Sequence, residues 1–248
     1  MALKVFESQQ EAEYEIAMCK HLWTLGGHRC ILALLGSVTT PPTPFMVMPY
    51  VAEANLFKFM KEGSLSLPVQ NGMVMQLAEV VTWLHSCHVA HLDLKPGNLL
   101  WDPHCCNLTL VDFGMALQYQ EDGTPAKPIE PFSAVTCNYR PPELWKTNMC
   151  NSINCWQVDV WSFGVTMVEI YASKIFLAGL LQKQVFSALE AWVRDWHTKR
   201  GHPSLVAVPK HLRSVAWFCC SPEPNRRPNM HADVGAWALS LPRCPMKC

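Results

Sequence analysis

The sequence predicts an α+β fold with two lobes, a small strand-rich lobe followed by a larger, mainly helical one. Short apolar runs and proline-bearing turns fill the first fifty residues, whereas helical periodicity dominates the chain beyond residue 70. Half of the 248 residues are hydrophobic and only 16% are charged, which favours a sizeable packed core. The pattern changes near Pro49–Ala52, so we place the small lobe at residues 1–51 and the large lobe at residues 52–248.

The small lobe begins with residues 1–6, which are typical of the end of a strand. A helix is expected from Gln9 to Trp23, because its apolar residues recur at helical spacing. Two strands, Ile31–Val38 and Phe45–Val51, should follow, separated by the turn-forming stretch TTPPTP. This part of the chain therefore predicts a small sheet with one helix.

The large lobe opens with an amphipathic helix that ends near His85. Its apolar residues share one helical face: Met73, Leu77, Val80, Val81 and Leu84. Three short strands are predicted next, at Val89–His91, Asn98–Trp101 and Leu108–Val111. A proline-bearing loop over residues 118–142 should precede four helices, at Val160–Tyr171, Lys183–Trp196, His211–Cys219 and Met230–Leu239.

The charge balance argues against two classes of partner. Lys and Arg together number 20, as do Asp and Glu, so the formal net charge is zero. No basic excess indicates nucleic acid or an anionic membrane as a partner. The most apolar long stretch, Trp161–Leu181, contains Glu169 and Lys174, which indicates a buried helix and no membrane span.

The twelve cysteines have a spacing that fits neither a zinc site nor a small disulfide scaffold. Cys105-Cys106 and Cys219-Cys220 are adjacent pairs, and no C-x-x-C occurs. The first residues, MALKVFESQQEAEYE, are acidic where a secretory signal needs an apolar segment. We therefore expect reduced thiols and an intracellular, cytoplasmic protein, with a nuclear location left open.

The segment HLDLKPGNLL, residues 91–100, carries the strongest chemical signal. Phosphoryl transfer needs a carboxylate for the attacking hydroxyl, a cation near the phosphate and oxygen ligands for a metal ion. Asp93, Lys95 and Asn98 supply these three groups within six residues. On an extended chain Asp93 and Lys95 point to the same side. The alternative is a solvated turn that contains these residue types by chance.

A second segment, Asp112-Phe113-Gly114, follows the apolar run LTLV. An aspartate at the end of a strand is well placed to bind Mg²⁺, which prefers oxygen ligands. Gly114 permits a backbone turn that a side chain would resist. Alone the tripeptide is a weak signal, since any turn could contain it, but its position downstream of Asn98 makes it more specific.

These residues resemble the catalytic and metal-binding loops of the protein kinase superfamily, and the resemblance extends over essentially the whole chain. Further segments match the family's motifs in order, which is more specific than any single motif. They are Ala2-Leu3-Lys4, Glu15, Tyr139–Glu143, Asp159–Gly164 and Glu223–Pro228, with Arg227 as the expected partner of Glu143. The implied fold is a two-lobed kinase-like fold, whose small lobe lacks its first two strands.

The resemblance implies that Lys4 holds the α- and β-phosphates of ATP and that Glu15 orients Lys4. The interval of eleven residues between them is short, so Glu11 and Glu13 remain alternative partners. A solvated acidic helix face is the other interpretation of these glutamates.

The same resemblance assigns the chemical roles and the cofactors, ATP and Mg²⁺. Asp93 would be the catalytic base and Lys95 would steady the γ-phosphate. Asn98 and Asp112 would hold Mg²⁺.

The segment PFMVMPYVAEANL resembles the adenine-binding hinge of the family. Met48 would lie at the back of the nucleotide pocket, Val51 would donate its backbone N–H to adenine, and Leu100 would also contact the nucleotide. Ordinary strand core is the alternative interpretation of Met48 and Val51.

The resemblance also implies a protein substrate with a serine or threonine hydroxyl, and it allows a regulatory protein partner. Lys95 and Thr136 match positions typical of serine/threonine kinases. The run V-T-x-x-Y-R-P-P-E is similar to cyclin-dependent and related proline-directed kinases, in which the equivalent of Arg140 favours proline after the target residue. Asn138 stands where those kinases have tryptophan.

One departure concerns the glycine-rich lid, which in the family precedes the lysine strand. No such motif occurs in this sequence. The backbone N–H groups that cradle the phosphates would then be absent, and the Lys4 strand would be an unpaired sheet edge. We expect a truncated sequence rather than a true loss of the lid, because every other motif is present.

A second departure concerns the arginines that gather an activation-loop phosphate in similar kinases. The corresponding positions are Tyr14, Leu92 and Leu117, which are all uncharged. We therefore predict that phosphorylation of Ser133 or Thr124 does not order the loop through an arginine cluster.

Two other functions compete with protein phosphorylation. A pseudokinase-like scaffold would fold similarly and act through partner contacts, and the absent lid favours it. A small-molecule kinase would share the H-x-D-x-x-x-x-N loop but would not require Glu143, Asp159 and Arg227 in order. The intact Asp93 and Asp112 favour the protein kinase.

Overall fold

The computed structural model describes residues 1–40, 42–51, 55–62, 65–126, 135–146, 153–177, 179–198 and 203–234. Its strands are β1 (Ala2–Val5), β2 (Gly36–Val38), β3 (Phe45–Met48), β4 (Val89–Ala90), β5 (Leu99–Asp102), β6 (Asn107–Leu110) and β7 (Leu117–Gln118). Its α-helices are α1 (Gln9–Thr24), α2 (Leu56–Glu62), α3 (Leu67–Ser86), α4 (Glu143–Lys146), α5 (Cys155–Ala172), α6 (Gln182–Thr198), α7 (Pro203–Ala207) and α8 (Arg213–Cys219).

A three-stranded antiparallel sheet in the order β1-β3-β2 packs against α1. Helix α1 begins after Ser8, whose hydroxyl accepts a hydrogen bond from the N–H of Glu11. Ile16 of α1 and Met46 of β3 belong to one small apolar cluster. Lys4 lies directly opposite Met46 in the sheet, so its side chain is on the face that α1 covers.

The large core is built around α5, which is buried along almost its whole length, and around α3. Helix α8 crosses α5 at Gly164, where an added Cβ would lie 2.6 Å from Cys219 Cβ. Only glycine therefore permits this close approach of the two helices. Within the described ranges, none of the helices combines the length and apolar character that a membrane crossing requires.

Two small antiparallel sheets carry the loops that hold the motif residues. The hairpin of β5 and β6 follows a 3₁₀ turn at Pro96–Asn98, and β4 pairs with β7. The residues between β4 and β5 and those between β6 and β7 are consequently brought side by side.

The strand predicted at Ile31–Val38 was too long. Only Gly36–Val38 forms a strand, whereas Ile31 makes an isolated parallel bridge to Leu110 and is buried in the large core. Ile31 thus packs against the large lobe, whereas Leu34 packs against the small apolar cluster and Leu35 is exposed. The strand predicted at Phe45–Val51 likewise ends at Met48.

The loop predicted over roughly residues 118–142 starts one residue later than expected. Gln118 belongs to β7, and Cys137–Tyr139 forms a 3₁₀ turn. Residues 127–134 of this loop lie outside the described ranges. The helix predicted at Met230–Leu239 is a π-helical turn over Met230–Val234, and the rest of it also lies outside them.

Candidate active site

Lys4 lies between two carboxylates that come from different parts of the chain. Its Nζ donates to Glu15 Oε1 at 2.7 Å and Oε2 at 2.6 Å, and to Asp112 Oδ1 at 2.7 Å. Glu15 is buried in α1, whereas Glu11 and Glu13 are exposed. Of the three glutamates considered from the sequence, Glu15 is therefore the one that reaches Lys4.

The Lys4 ammonium opposes the effect of burial on both carboxylates. Burial would lower the pKa of the Lys4 ammonium, but its hydrogen bonds to Asp112 and Glu15 outweigh burial, and its pKa is raised. Burial would raise the pKa of Asp112, but the contact with Lys4 lowers it. Burial raises the pKa of Glu15, and the Lys4 ammonium opposes this effect. Lys4 and Asp112 are accordingly both charged at neutral pH.

The turn after β6 brings Asp112 to this cluster. Asp112 has φ 69°, in the left-handed region that side chains rarely adopt. Gly114 follows where an added Cβ would lie 3.2 Å from Glu15 Oε2, so a side chain would push against the carboxylate. The absence of a side chain at Gly114 lets α1 approach the turn closely.

Asp93 is held by three side chains. Its Oδ2 accepts from Lys95 Nζ at 2.6 Å and from Asn98 Nδ2 at 2.9 Å, and its Oδ1 accepts from Thr136 Oγ1 at 2.6 Å. Lys95 also donates to Thr136 Oγ1 at 2.7 Å. The sequence marked Thr136 only as typical of a class, and no local pattern indicated that it would contact Asp93, which lies 43 residues away.

The two predicted loops are fixed to one another and to the core. The buried Asp159 of α5 accepts from the backbone N–H of His91 at 2.7 Å and of Leu92 at 2.8 Å. The His91 ring packs on Phe113 with the ring centroids 5.1 Å apart. Val111 donates its N–H to the Asn98 carbonyl at 3.0 Å. The residues preceding Asp93 and those flanking Asp112 are therefore parts of one rigid unit.

The donor set near these loops fits a hard divalent cation. Asn98 uses its Nδ2 on Asp93, which leaves its carbonyl oxygen Oδ1 as a ligand, and the Asp112 side chain is 43% exposed. Within the described ranges no cluster of three or more His, Cys, Asp or Glu side chains could hold a metal ion. Mg²⁺ in nucleotide sites commonly uses only one or two protein ligands together with phosphates and water.

The proposed nucleotide contacts Met48, Val51 and Leu100 are all half-buried. Leu100 lies on the face of β5 opposite the buried Leu99 and Trp101. Val51 lines an open cavity of about 400 Å³ with Trp23, His28 and Arg29 among others. Of the proposed nucleotide-binding residues, Val51 alone lines this cavity.

The segment after Thr136 is tied into the large core. Arg140 is buried, and its Nε and Nη2 donate to the Val135 carbonyl at 3.2 Å and 2.8 Å. Tyr139 Oη donates to the buried Glu169 at 2.8 Å, and burial raises the pKa of Glu169 to about 8.

Arg227 binds Glu143 through two parallel hydrogen bonds of 2.6 Å and 2.7 Å, so the expected pair is confirmed. It anchors the helix that follows Arg140 to the C-terminal part of the large lobe.

Several known proteins are similar to this chain in sequence. Mitogen-activated protein kinase 12 of Rattus norvegicus is 32% identical over 177 residues, which are 68% of this chain and 44% of the relative. Cyclin-dependent kinase G1 of Arabidopsis thaliana is 40% identical over 107 residues, 43% of this chain and 16% of the relative. Ankyrin repeat and protein kinase domain-containing protein 1 of Mus musculus is 30% identical over 215 residues, 81% of this chain and 27% of the relative.

This chain spans less than half the length of each of these relatives. The family model for the protein kinase domain matches residues 1–235. The predicted family and fold class are thereby confirmed, and the chain belongs to the protein kinase domain family.

Proposed function

We propose that this chain transfers the γ-phosphate of ATP to serine or threonine hydroxyls of protein substrates. The observation that carries the proposal is the Asp93 carboxylate, which Lys95, Asn98 and Thr136 hold in place. A general base must lie within reach of the proton that it accepts, whatever its pKa. Three hydrogen bonds fix the Asp93 carboxylate in one position. The match to the protein kinase domain supports the same reaction.

Each residue has a distinct task in this proposal. Asp93 accepts the proton of the attacking hydroxyl, and Lys95 places positive charge beside the transferring phosphate. Lys4, which Glu15 fixes from α1, binds the α- and β-phosphates. Binding of the phosphates by Lys4 would replace its contact with Asp112 and would leave that carboxylate available to the metal ion.

Asn98 and Asp112 would hold Mg²⁺, which would neutralise charge on the phosphate oxygens. Met48, Val51 and Leu100 would contact the adenine and the sugar of the nucleotide. Their half-buried positions beside the hinge and on the β5–β6 hairpin suit an apolar nucleotide pocket.

The preference for proline after the target residue is part of the proposal. Arg140 occupies the carbonyl of Val135 directly before Thr136, the residue that contacts Asp93. A substrate backbone N–H that met this carbonyl would find it already bonded and would lose its hydrogen bond on leaving water. Proline has no N–H and avoids that loss.

The proposal also includes a cellular compartment and a regulatory partner. We propose an intracellular, cytoplasmic kinase, because the twelve cysteines carry no C-x-x-C spacing and suit reduced thiols. A regulatory protein partner remains part of the proposal through the resemblance to cyclin-dependent kinases, one of which is among the relatives.

Transfer of labelled phosphate from ATP to a protein acceptor tests the proposal on the full-length protein. Asp93→Asn should lower the rate about 10²–10⁴-fold, since general base catalysis contributes about that much. Asp102→Asn is the matched control, because Asp102 at the end of β5 accepts from the His104 N–H in the turn that follows, and it should leave the rate unchanged. Equal rates for Asp93→Asn and the wild type would refute Asp93 as the base.

Paired peptides that carry Ser-Pro or Ser-Ala test the sequence preference in the same assay. A lower rate on the Ser-Pro peptide would contradict the role given to Arg140. Nucleotide binding without any transfer would instead favour the scaffold.

A further inference from the structure

Helix α1 is joined to the turn after Asp112 by a contact that the proposed chemistry does not use. Tyr14 Oη donates a hydrogen bond of 2.6 Å to the backbone carbonyl of Ala116. The two residues are 102 positions apart in the chain. Tyr14 immediately precedes Glu15, the residue that binds Lys4, so the two side chains move with the same turn of helix.

The acceptor of this bond belongs to a rigid turn. Ala116 is fully buried, and its N–H donates to the Phe113 carbonyl at 3.1 Å. The turn therefore closes directly on the Asp112-Phe113-Gly114 segment. Farther along α1 and the same chain segment, His21 Nε2 lies 2.8 Å from Gln118 Nε2, but that contact is exposed. Tyr14 thus provides the more protected of these two contacts between α1 and residues 116–118.

The hydrogen bond from Tyr14 to Ala116 affects the position of α1 relative to Lys4. The contacts of Glu15 with Lys4 pull α1 towards β1, whereas the bond of Tyr14 holds α1 against the turn that carries Asp112. Lys4 also has Asp112 as a second carboxylate partner, so it could remain paired if α1 moved away. The bond of Tyr14 therefore adds a contact that holds α1, and with it Glu15, against the turn.

We propose that Tyr14 is a positioning residue that keeps α1 where Glu15 reaches Lys4. A neutral tyrosine hydroxyl bonded to a backbone carbonyl performs this task without a phosphate on the loop. Loss of the hydroxyl frees α1 to withdraw and releases Lys4 from Glu15. The consequence for phosphate transfer rests on the proposed function, but the effect on Lys4 does not.

The reactivity of the Lys4 amine tests the proposal without any need for kinase activity. Hydrogen bonds of 2.6–2.7 Å to Glu15 and Asp112 occupy the Lys4 Nζ, so withdrawal of Glu15 would expose the amine to an acylating reagent. The rate of acylation at Lys4 is measured by mass spectrometry on the full-length protein. Tyr14→Phe should raise this rate about fivefold, the change that loss of one neutral hydrogen bond commonly produces.

Two further variants make the result decisive. Glu15→Gln removes the carboxylate itself and should raise the rate at Lys4 at least as much. Tyr171→Phe removes a buried tyrosine hydroxyl that bonds Asn71 between α3 and α5, and it should leave the rate unchanged. An unchanged rate in Tyr14→Phe or in Glu15→Gln overturns the proposal. An equal rise in Tyr171→Phe also overturns it, because the effect would then be a general loosening.

Phosphate transfer gives the second readout. In an active protein, Tyr14→Phe should lower kcat/KM for ATP about fivefold, while the melting temperature stays closer to the wild type than that of Tyr171→Phe. Faster acylation of Lys4 with unchanged transfer would show that α1 moves without consequence, which contradicts a positioning role. Absence of transfer in the wild type would refute the proposed function alone, since the acylation rates still decide the role of Tyr14.

Discussion

Two consecutive arginines, Arg226 and Arg227, each bind one glutamate, but their surroundings differ. Arg227 has a side chain with 0% exposure, and it donates from Nη1 and Nη2 to the two oxygens of Glu143, which is 23% exposed. Arg226 binds Glu223 at 2.7 Å, with exposures of 69% and 61%. The pairs share residue types and contact lengths, and they differ in burial and in the second hydrogen bond of the Arg227 pair.

The expected loss of stability follows from that difference. Glu143→Gln leaves the buried Arg227 guanidinium with one amide oxygen and two backbone carbonyls, those of Ser221 and Gln157. Breaking a buried pair commonly costs about 3–5 kcal/mol, and the remaining contacts favour the lower end, about 3 kcal/mol. Glu223→Gln should cost about 0.5 kcal/mol, because an exposed pair contributes little. A loss of about 3 kcal/mol is a large fraction of the stability of a typical domain.

Urea unfolding followed by tryptophan fluorescence measures both losses at neutral pH. The free energy of unfolding is extrapolated to water for the wild type and for each variant, and equal slopes justify the comparison. Losses for Glu143→Gln and Glu223→Gln that agree within about 1 kcal/mol would refute the reasoning that burial sets the value of the pair.

Three further predictions concern other parts of the large lobe. The pKa of Glu169 is raised from 4.5 to about 8, so the folded chain keeps a proton that the unfolded chain loses. This group therefore lowers the free energy of unfolding as pH rises from about 5 to 8. The gain in unfolding free energy of Glu169→Gln over the wild type should therefore grow from pH 5 to pH 8 in urea titrations, and a constant difference would contradict it. Gly164→Ala should cost about 1–3 kcal/mol in thermal unfolding because its Cβ overlaps α8, whereas Gly36→Ala, whose Cβ would meet an atom only at 3.9 Å, should not lose stability through overpacking. Phosphorylation at Thr124, or at Ser133, which lies outside the described residues, should not raise kinase activity, and a tenfold gain in treated protein would overturn that prediction.

Helical periodicity explains why Glu15 rather than its neighbours binds Lys4. Residues three and four apart share a helix face, and Glu15 lies with the buried Ala12 and Cys19. Glu11 also shares spacing with Glu15, but it lies in the first turn beside the Ser8 cap and is exposed. The short interval between Lys4 and the glutamates left the choice among them open in the sequence. The structure shows that Glu15 lies on the buried face of α1, which decides the choice.

Contacts between distant segments could not be predicted from local patterns. The bond of Thr136 to Asp93 depends on how the chain after β7 returns to the loop before β5. The bond of Tyr14 to Ala116 depends on the backbone of a turn, which carries no side-chain signal. The run from Ile31 was assigned to the small sheet because its apolar residues suit a strand as well as a packed loop.

The backbone at Asp112 shows how these distant contacts determine one another. A left-handed conformation costs a residue with a side chain about 1–2 kcal/mol, so Asp112 adopts φ 69° only because other contacts stabilise it. Lys4 binds its carboxylate, the adjacent Val111 is bonded to Asn98, and Gly114 leaves room for Glu15. Each of these contacts comes from a different segment of the chain. The geometry at Asp112 is therefore a property of the assembled lobes, and a motif in the sequence can mark the residue but cannot supply its conformation.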